Sequence, residues 1–337
     1  MNVLAFTGAA LTGAFLLLVV LLTARRVRTG RSEARRAALR TALRPTVLAI
    51  VNGDDVRFKQ RVRAYGEPVL FADMLIGYVQ LLRGPARERV AAFFERHGDI
   101  ERETRSLRSR RGQRRAAAAH RLGDMGSPST VPALLDLLEH DRDRDVRSAC
   151  AGSLGRLQAA GAVPALVTAL VGRRVPHARA AQALLAIGPP AVPELLSLLA
   201  ADDPEVRAWA AELVGLAGEA SHGDALIRSL RDTSADVRSR AARALGRLGS
   251  SAAADALLAA LHDRVPAVRT DAAFALGRLR DAGAVDALLS LARTDVFETA
   301  RAAADALARI DPNRLRVEAA AAGAGGHLRE AASRLEK

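Results

Sequence analysis

Residues 206–215 read VRAWAAELVG, 237–246 read VRSRAARALG and 268–277 read VRTDAAFALG, each copy displaced by 31 positions from the last. One further step lands on 299–308, TARAAADALA, which keeps the apolar pattern and loses the Val-Arg pair. Upstream, 146–155 read VRSACAGSLG, and a degenerate copy runs from Pro176 to Gly188. In the 237 copy, Val237, Ala241, Ala244, Leu245 and Leu248 fall on one side of a helix of 3.6 residues per turn. A second phrase lies between these copies: VPALLDLLEHD from Val131, VPALVTALVG from Val163, VPELLSLLAAD from Val192 and AVDALLSLART from Ala284. Each unit therefore reads as a two-helix hairpin. One hairpin cannot hide its own apolar stripe, so the units must stack. Six full pairs fit between about 130 and 310, preceded by a half-unit from Arg114 to Gly123.

Local signals agree with the periodicity. Asp145, Glu205 and Asp236 are expected just before their helices, where a carboxylate accepts free N–H groups and meets the positive end of the helix dipole. Pro132, Pro164 and Pro193 stand near the starts of the other helices, where proline is tolerated. Gly155, Gly215, Gly246 and Gly277 recur with the repeat and read as points of close helix packing. Arg147, Arg207, Arg238 and Arg269 form a row, and Asp141, Asp232 and Asp263 sit in the turns before three of them. That arrangement predicts a ladder of ion pairs between repeats.

The layout L-L-x-L-L…D…V-R-x-x-A-A-x-A-L-G-x-L-G resembles HEAT repeats over residues 114–310. The resemblance is specifically to the short, alanine-rich bacterial kind also found in phycobilisome lyases. The resemblance implies an all-α fold, an α-solenoid or superhelix of helix hairpins whose second helices line the concave face.

The leading residues carry a different signal. Val3 to Leu22, VLAFTGAALTGAFLLLVVLL, has no charge, and a helix of that length spans about 30 Å, the thickness of a bilayer's hydrocarbon core. The run exceeds a signal peptide's apolar core, and no basic residue precedes it. It predicts one N-terminal transmembrane helix, uncleaved. Residues 24–44 hold eight arginines against Glu33. Arg25, Arg26, Arg28, Arg31, Arg35 and Arg36 keep their side of the span in the cytoplasm and can meet anionic lipid headgroups. The expected placement is single-pass in the plasma (inner) membrane, N-terminus outside and repeats cytoplasmic. Such an anchor followed by LRSRRGQRRAAAAHRLGDMG (107–126) resembles bacterial membrane-anchored HEAT proteins, some of which work beside membrane glycosyltransferases.

The chain thus divides into an anchor (1–23), a basic juxtamembrane helix (24–44), a helical connector or set of diverged repeats (45–113), the array (114–310) and a C-terminal cap and tail (311–337). Within the connector, Pro45–Asn52, Glu67–Leu82 and Ala86–His97 read as helices. Val69, Leu70, Met74, Leu75, Val79 and Leu82 give the second an apolar face.

Composition narrows the function. Basic residues exceed acidic ones by 13, and all but Lys59 and Lys337 are arginine. The excess sits in 24–44 and 101–121, whereas 122–310 hold 21 arginines against 23 carboxylates. A protein that tracks phosphates needs a basic groove along its working surface, so this balance argues against nucleic acid as the partner. The single Cys150 excludes an intrachain disulfide framework, and its place in a helix phrase reads as a small buried residue. No G-x-S-x-G, no Walker-type loop and no post-strand G-x-G-x-x-G occurs. HEAT-like folds include a di-iron hydroxylase of the deoxyhypusine kind, whose ligands come as His-Glu dipeptides in both halves. This chain has only the reversed Glu139-His140. A phycobilin lyase would need a tetrapyrrole site, which no residue marks. The expectation is a non-catalytic scaffold or adaptor without cofactor or metal. The alternative is a HEAT-like hydroxylase or lyase.

A partner surface follows from the 31-residue register, which sets side by side Trp209, Arg240 and Asp271, then Glu212, Arg243, Phe274 and Asp305, then Leu216, Arg247, Arg278 and Arg309. Trp and Arg dominate protein interfaces. Trp209, Arg240, Arg243, Phe274, Arg247 and Arg278 are therefore the candidate protein-binding residues. The expected partner is another, membrane-associated protein.

Overall fold

The computed structural model describes residues 33–35, 37–53, 68–79, 81–82, 84–321 and 325–335. The apolar run 3–22 lies outside them. So do Arg25, Arg26, Arg28, Arg31 and Arg36; Arg35 is described, helical and exposed. Among the described residues all regular structure is helical, and no single helix is long and apolar enough to cross a membrane.

The chain forms two compact units: one holds the described residues up to Glu103 together with Asp124–Ser127, the other Thr104–Gly123 and everything from Pro128 onward. The first contains α1 (37–52), α2 (Pro68–Val79), α3 (Pro85–Arg96) and the start of α4 (Asp99–Ser106). α1 runs on through Pro45, where the sequence suggested a helix start. α2 is shorter than expected at its C-terminal end, and α4 was not anticipated. The core of this unit is built from Leu43, Val47, Phe71, Leu75, Val90 and Phe94, all buried. Of the predicted apolar face of α2, Leu75 and Val79 are buried, while Leu70 and Met74 are half-buried. Arg89 ties α3 to the end of α1, donating Nε and Nη2 to the Val51 carbonyl at 3.1 and 2.8 Å.

The second unit takes in the end of α4 and then α5 (Gly112–Met125), whose residues up to Gly123 belong to it. Six hairpins follow: α6 (Val131–His140) with α7 (Arg144–Arg156), α8 (Val163–Val171) with α9 (His177–Ile187), and α10 (Val192–Ser197) with α11 (Pro204–Ala217). Then come α12 (Gly223–Ser229) with α13 (Ala235–Leu248), α14 (Ala254–Ala260) with α15 (Pro266–Leu279), and α16 (Val285–Thr294) with α17 (Phe297–Ile310). This matches the six pairs and half-unit read from the repeat. α18 (Pro312–Ala320) and α19 (Gly326–Arg334) close the chain, burying Leu315, Leu328, Ala331 and Ala332. A single turn of 3-10 helix precedes each first helix from α6 on, for example Ala160–Ala162 and Ser251–Ala253.

Small residues let the second helices pack side by side. A Cβ added to Gly246 would fall 2.7 Å from Ala275 Cα, and one on Gly277 2.8 Å from Ala306 Cα. At such spacing only glycine fits, so the recurring glycines set the approach of α13 to α15 and of α15 to α17. Most of the stripe read from the sequence is buried: Val237, Ala241, Ala244 and Leu245 are fully enclosed, and Leu248 at its end is half-buried.

Helix starts need one correction. Asp143 and Asp203, rather than Asp145 and Glu205, are the capping residues: Asp143 accepts from the Asp145 N–H at 2.9 Å and Asp203 from the Glu205 N–H at 2.8 Å. Asp145, Glu205 and Asp236 lie inside the first turn, where their charge still favours the dipole.

Candidate protein-docking groove

The repeat arginine first fastens its own hairpin, then the next. Arg238 Nη1 donates to the Asp232 carbonyl at 2.9 Å, six residues back in the same turn. Its Nε and Nη2 form a fork on the Asp263 carboxylate at 2.7 and 2.9 Å. Arg207 holds Asp232 in the same way at 2.8 and 2.9 Å, Arg115 holds Asp141 at 2.7 and 2.9 Å, and Arg269 holds Asp295, with Nε at 2.6 Å. Each aspartate also accepts a backbone N–H just beyond it, that of Ser234 on Asp232 and Val265 on Asp263, both at 2.8 Å. The arginine forks hold the Asp232, Asp263 and Asp295 carboxyls below the ordinary carboxylate value against the opposing effect of burial. At Asp141 burial is the largest influence and acts upward, but the Arg115 fork and the Asp143 N–H outweigh it. The predicted ladder therefore exists at Arg207, Arg238 and Arg269, each joined to the aspartate of the following repeat, and Arg115 adds a rung upstream; Arg147 donates instead to the Arg174 and Asp141 carbonyls.

Beside this ladder runs the face of the second helices, where the candidate residues divide into three settings. Trp209 and Arg240 are half-buried and engaged with each other: the guanidinium lies 4.9 Å from the ring centroid. Arg240 also reaches Glu212 at 2.7 Å and Asp236 at 3.2 Å, and His177 stands 5.9 Å from the Trp209 ring. Arg243, Arg247 and Phe274 are brought together as walls and floor of a groove of about 450 Å³. Its far wall comes from α17, with Arg301, Asp305 and Arg309. Arg278 is exposed and does not line the groove.

Inside the groove each carboxylate is already matched. Asp271, buried in its floor, accepts from Arg243 Nε and Nη2 at 3.0 and 2.8 Å and from the Ser239 hydroxyl. Glu298 pairs with Arg301 at 2.8 Å, and Asp305 with Arg334 of α19 at 2.9 Å. Arg309 lies over Phe274, its Cζ 5.7 Å from the ring centroid. The candidate set omits Arg309, although the repeat register places it two steps on from Arg247; that register was the signal that could have included it.

Other reactive groups are placed apart. Cys150 is buried and its thiol is pushed up to about 12 by that burial. His222 closes a turn, its Nδ1 accepting the Glu219 N–H at 2.9 Å, and His262 is exposed just beyond α14. Among the described residues no group of three or more His, Cys, Asp or Glu side chains converges as a metal site.

A family model described as HEAT repeats matches residues 105–186, 173–238, 192–273, 223–308 and 255–324, together well over half the chain. The chain belongs to the HEAT-repeat family. No curated protein matches it. Among solved structures, human deoxyhypusine hydroxylase is 22% identical with a TM-score of 0.33, over 73% of this HEAT protein and 99% of that chain. The complex of CpcE and CpcF of phycocyanin lyase from Nostoc is 23% identical at 0.39, over 44% and 98%. An engineered protein is 23% identical at 0.42, over 79% and 84%.

Proposed function

We propose that this HEAT protein is a non-catalytic scaffold that holds a partner protein on the face of its second helices. The observation that carries the reading is the groove over Phe274, an aromatic floor between arginine walls, set on helices that the Arg–Asp forks and glycine contacts hold in register. Aromatic and arginine side chains in a concave setting are the ones that contribute most at protein interfaces. A rigid support keeps such side chains preorganised for a partner.

The scaffold works at a membrane, tethered through residues 3–22 with the arginines of 24–44 against anionic headgroups and the array in the cytoplasm. Its partner is then a membrane-associated protein, with a membrane enzyme such as a glycosyltransferase as the first to examine. The uncharged run and the one-sided arginines support this placement.

The test is a photo-crosslinking amino acid introduced at position 274, and separately at exposed Arg228 on α12, in the full chain within its native cells. A discrete adduct at 274 that is absent at 228 is the expected result. No adduct at either position overturns the scaffold reading. Extraction of the chain by alkaline carbonate without detergent overturns the tether.

A further inference from the structure

We propose that the groove over Phe274 takes an acidic, extended segment of the partner protein, its carboxylates meeting Arg247 and Arg309 and an apolar side chain lying on the Phe274 ring. The inference rests on the scaffold reading and specifies what the scaffold grips.

The charge inventory leads to it. The groove contains Arg243, Arg247, Arg301 and Arg309 against Asp271, Glu298 and Asp305. Asp271 is taken by Arg243, Glu298 by Arg301 and Asp305 by Arg334. Arg247 and Arg309 stand on opposite walls with no carboxylate partner among the described residues, so the groove keeps two unmatched cations. One of them is partly desolvated: Arg247 Nη1 is buried and has no hydrogen-bond partner. A buried guanidinium N–H without an acceptor is an unfavourable arrangement that an incoming carboxylate relieves. Arg278, exposed and likewise without a carboxylate, stands between them in the repeat register. That extends the same charge along the edge of the row.

Geometry selects an extended chain. Neighbouring packed helices lie about 10 Å apart, and a chain in the extended polyproline II conformation advances about 3.1 Å per residue with three residues per turn, so every third side chain lies on one face. Every third side chain of a segment laid across α13, α15 and α17 therefore meets the next helix. Carboxylates six residues apart reach Arg247 and Arg309, with the residue midway between them over Phe274. The carboxylates fixed within the groove also decide against nucleic acid. Discrete acidic side chains can avoid Asp271, Glu298 and Asp305, whereas an unbroken line of phosphates runs against them.

The probe is a fluorescein-labelled peptide of repeated Asp-Ser-Ser-Leu-Ser-Ser units, measured by anisotropy against the full chain in non-ionic detergent. The same peptides with Asn or Lys in place of Asp serve as comparisons. The Asp peptide is expected to bind, and the Asn and Lys peptides about tenfold or more weakly. Arg247→Glu with Arg309→Glu loses about tenfold or more, Phe274→Ala about threefold, and Arg228→Glu on α12 nothing. A readout without any variant guards against misfolding: the Asp peptide shields Arg247 and Arg309 from phenylglyoxal, read by mass after digestion, and leaves Arg228 reactive. Equal binding of the Asp and Lys peptides, undiminished binding by the folded double variant, or failure to shield both arginines overturns the proposal. So does an oligonucleotide that displaces the Asp peptide at equal charge. If the Asp peptide fails while the crosslink at 274 persists, the acidic occupant is wrong and the scaffold stands; if both fail, both are wrong.

Discussion

Two stretches of the array carry the same job by different means. From α11 through α13 and α15 to α17, each junction has an arginine fork on an aspartate and a glycine against an alanine, and the second helices pack extensively on one another. Around α9 the pattern fails. The incoming Arg147 finds no carboxylate; its Nε donates to the Arg174 carbonyl at 2.9 Å. α9 itself starts later, so His177 stands where α7, α11, α13 and α15 carry arginine, Ala201 where the turns of the later repeats carry aspartate, and Leu185 where those four helices carry glycine. α9 and α11 accordingly touch only lightly. An exposed substitute joins the turn before α9 to α11: Arg173 reaches Glu205 at 2.8 Å and Asp203 at 3.3 Å. Fork, aspartate and glycine are all lost between α9 and α11, whereas between α7 and α9 the fork is lost and the glycine stays, Gly155 against Ala183. Close approach persists there with the glycine alone and fails where the glycine is lost too, leaving a junction held by weaker, solvated pairs.

The largest expected effect breaks a regular junction. Asp263→Ala leaves Arg238, whose side chain is 8% exposed, with only the Asp232 and Thr233 carbonyls as acceptors. A cost of about 3 kcal/mol follows from stranding a nearly buried charge, read as a fall in the urea midpoint. Acid acts on the same link. The Asp232, Asp263 and Asp295 carboxyls are held low when folded, so the unfolded chain binds more protons in the window between the folded values and the ordinary one. Their stabilisation is complete above the ordinary carboxylate value, about pH 4, and is lost as pH falls through the folded values. The wild-type midpoint should drop more steeply below about pH 4 than that of Asp263→Ala; parallel curves would remove the forks from the account.

Next comes the glycine. Gly246→Ala puts a Cβ against the Ala275 backbone and should cost about 2 kcal/mol through overpacking. Gly152→Ala in α7, whose nearest atom is the far end of the Arg179 side chain at 3.5 Å, should be neutral or stabilising by up to about 1 kcal/mol from helix propensity. The substitute junction should respond less than either damaging change: Glu205→Ala costs about 0.5 kcal/mol or less, because Arg173 is 64% exposed. A Glu205→Ala effect as large as that of Asp263→Ala would erase the distinction between the two stretches.

The same contrast explains what the sequence reveals. The offset of 31 exposed the six hairpins, the ladder and the packing glycines, because each is a residue type repeated in register. What lacked a repeated side chain was invisible. The 3-10 turns before the first helices are written mostly in alanine, serine, glycine and proline, with Thr130 and His222 besides, and share no common pattern. α4 is charged along its length and offers one buried residue, Ile100, as its apolar signal. Carboxylates two apart, as in Asp143 and Asp145, make equally good caps on paper, and only the extended backbone at Asp143 decides between them. The groove was half legible: the register lined up Arg243 with Phe274 and Arg247 with Arg309. The pairing of Asp305 with Arg334 depends on a helix beyond the repeats, and that pairing leaves Arg309 unmatched.

The smallest predicted effect isolates backbone from contact. α13 ends on Gly249 with φ 70° and ψ 29°, and α15 ends 31 positions later on Arg280 with φ 56° and ψ 42°. Both are left-handed helix ends, which glycine adopts freely and other residues only under strain. Nothing lies within 4 Å of a Cβ placed on Gly249, so Gly249→Ala tests the backbone alone and should cost about 1 kcal/mol. Arg280→Gly should stabilise by less, about 0.5 kcal/mol, because relief of strain is partly offset by the added freedom of the unfolded chain. Thermal melts of the two variants should therefore move in opposite directions. If they move together, the two helix ends differ in more than the residue each one carries, and the regularity of the α11–α17 stretch stops at its side chains.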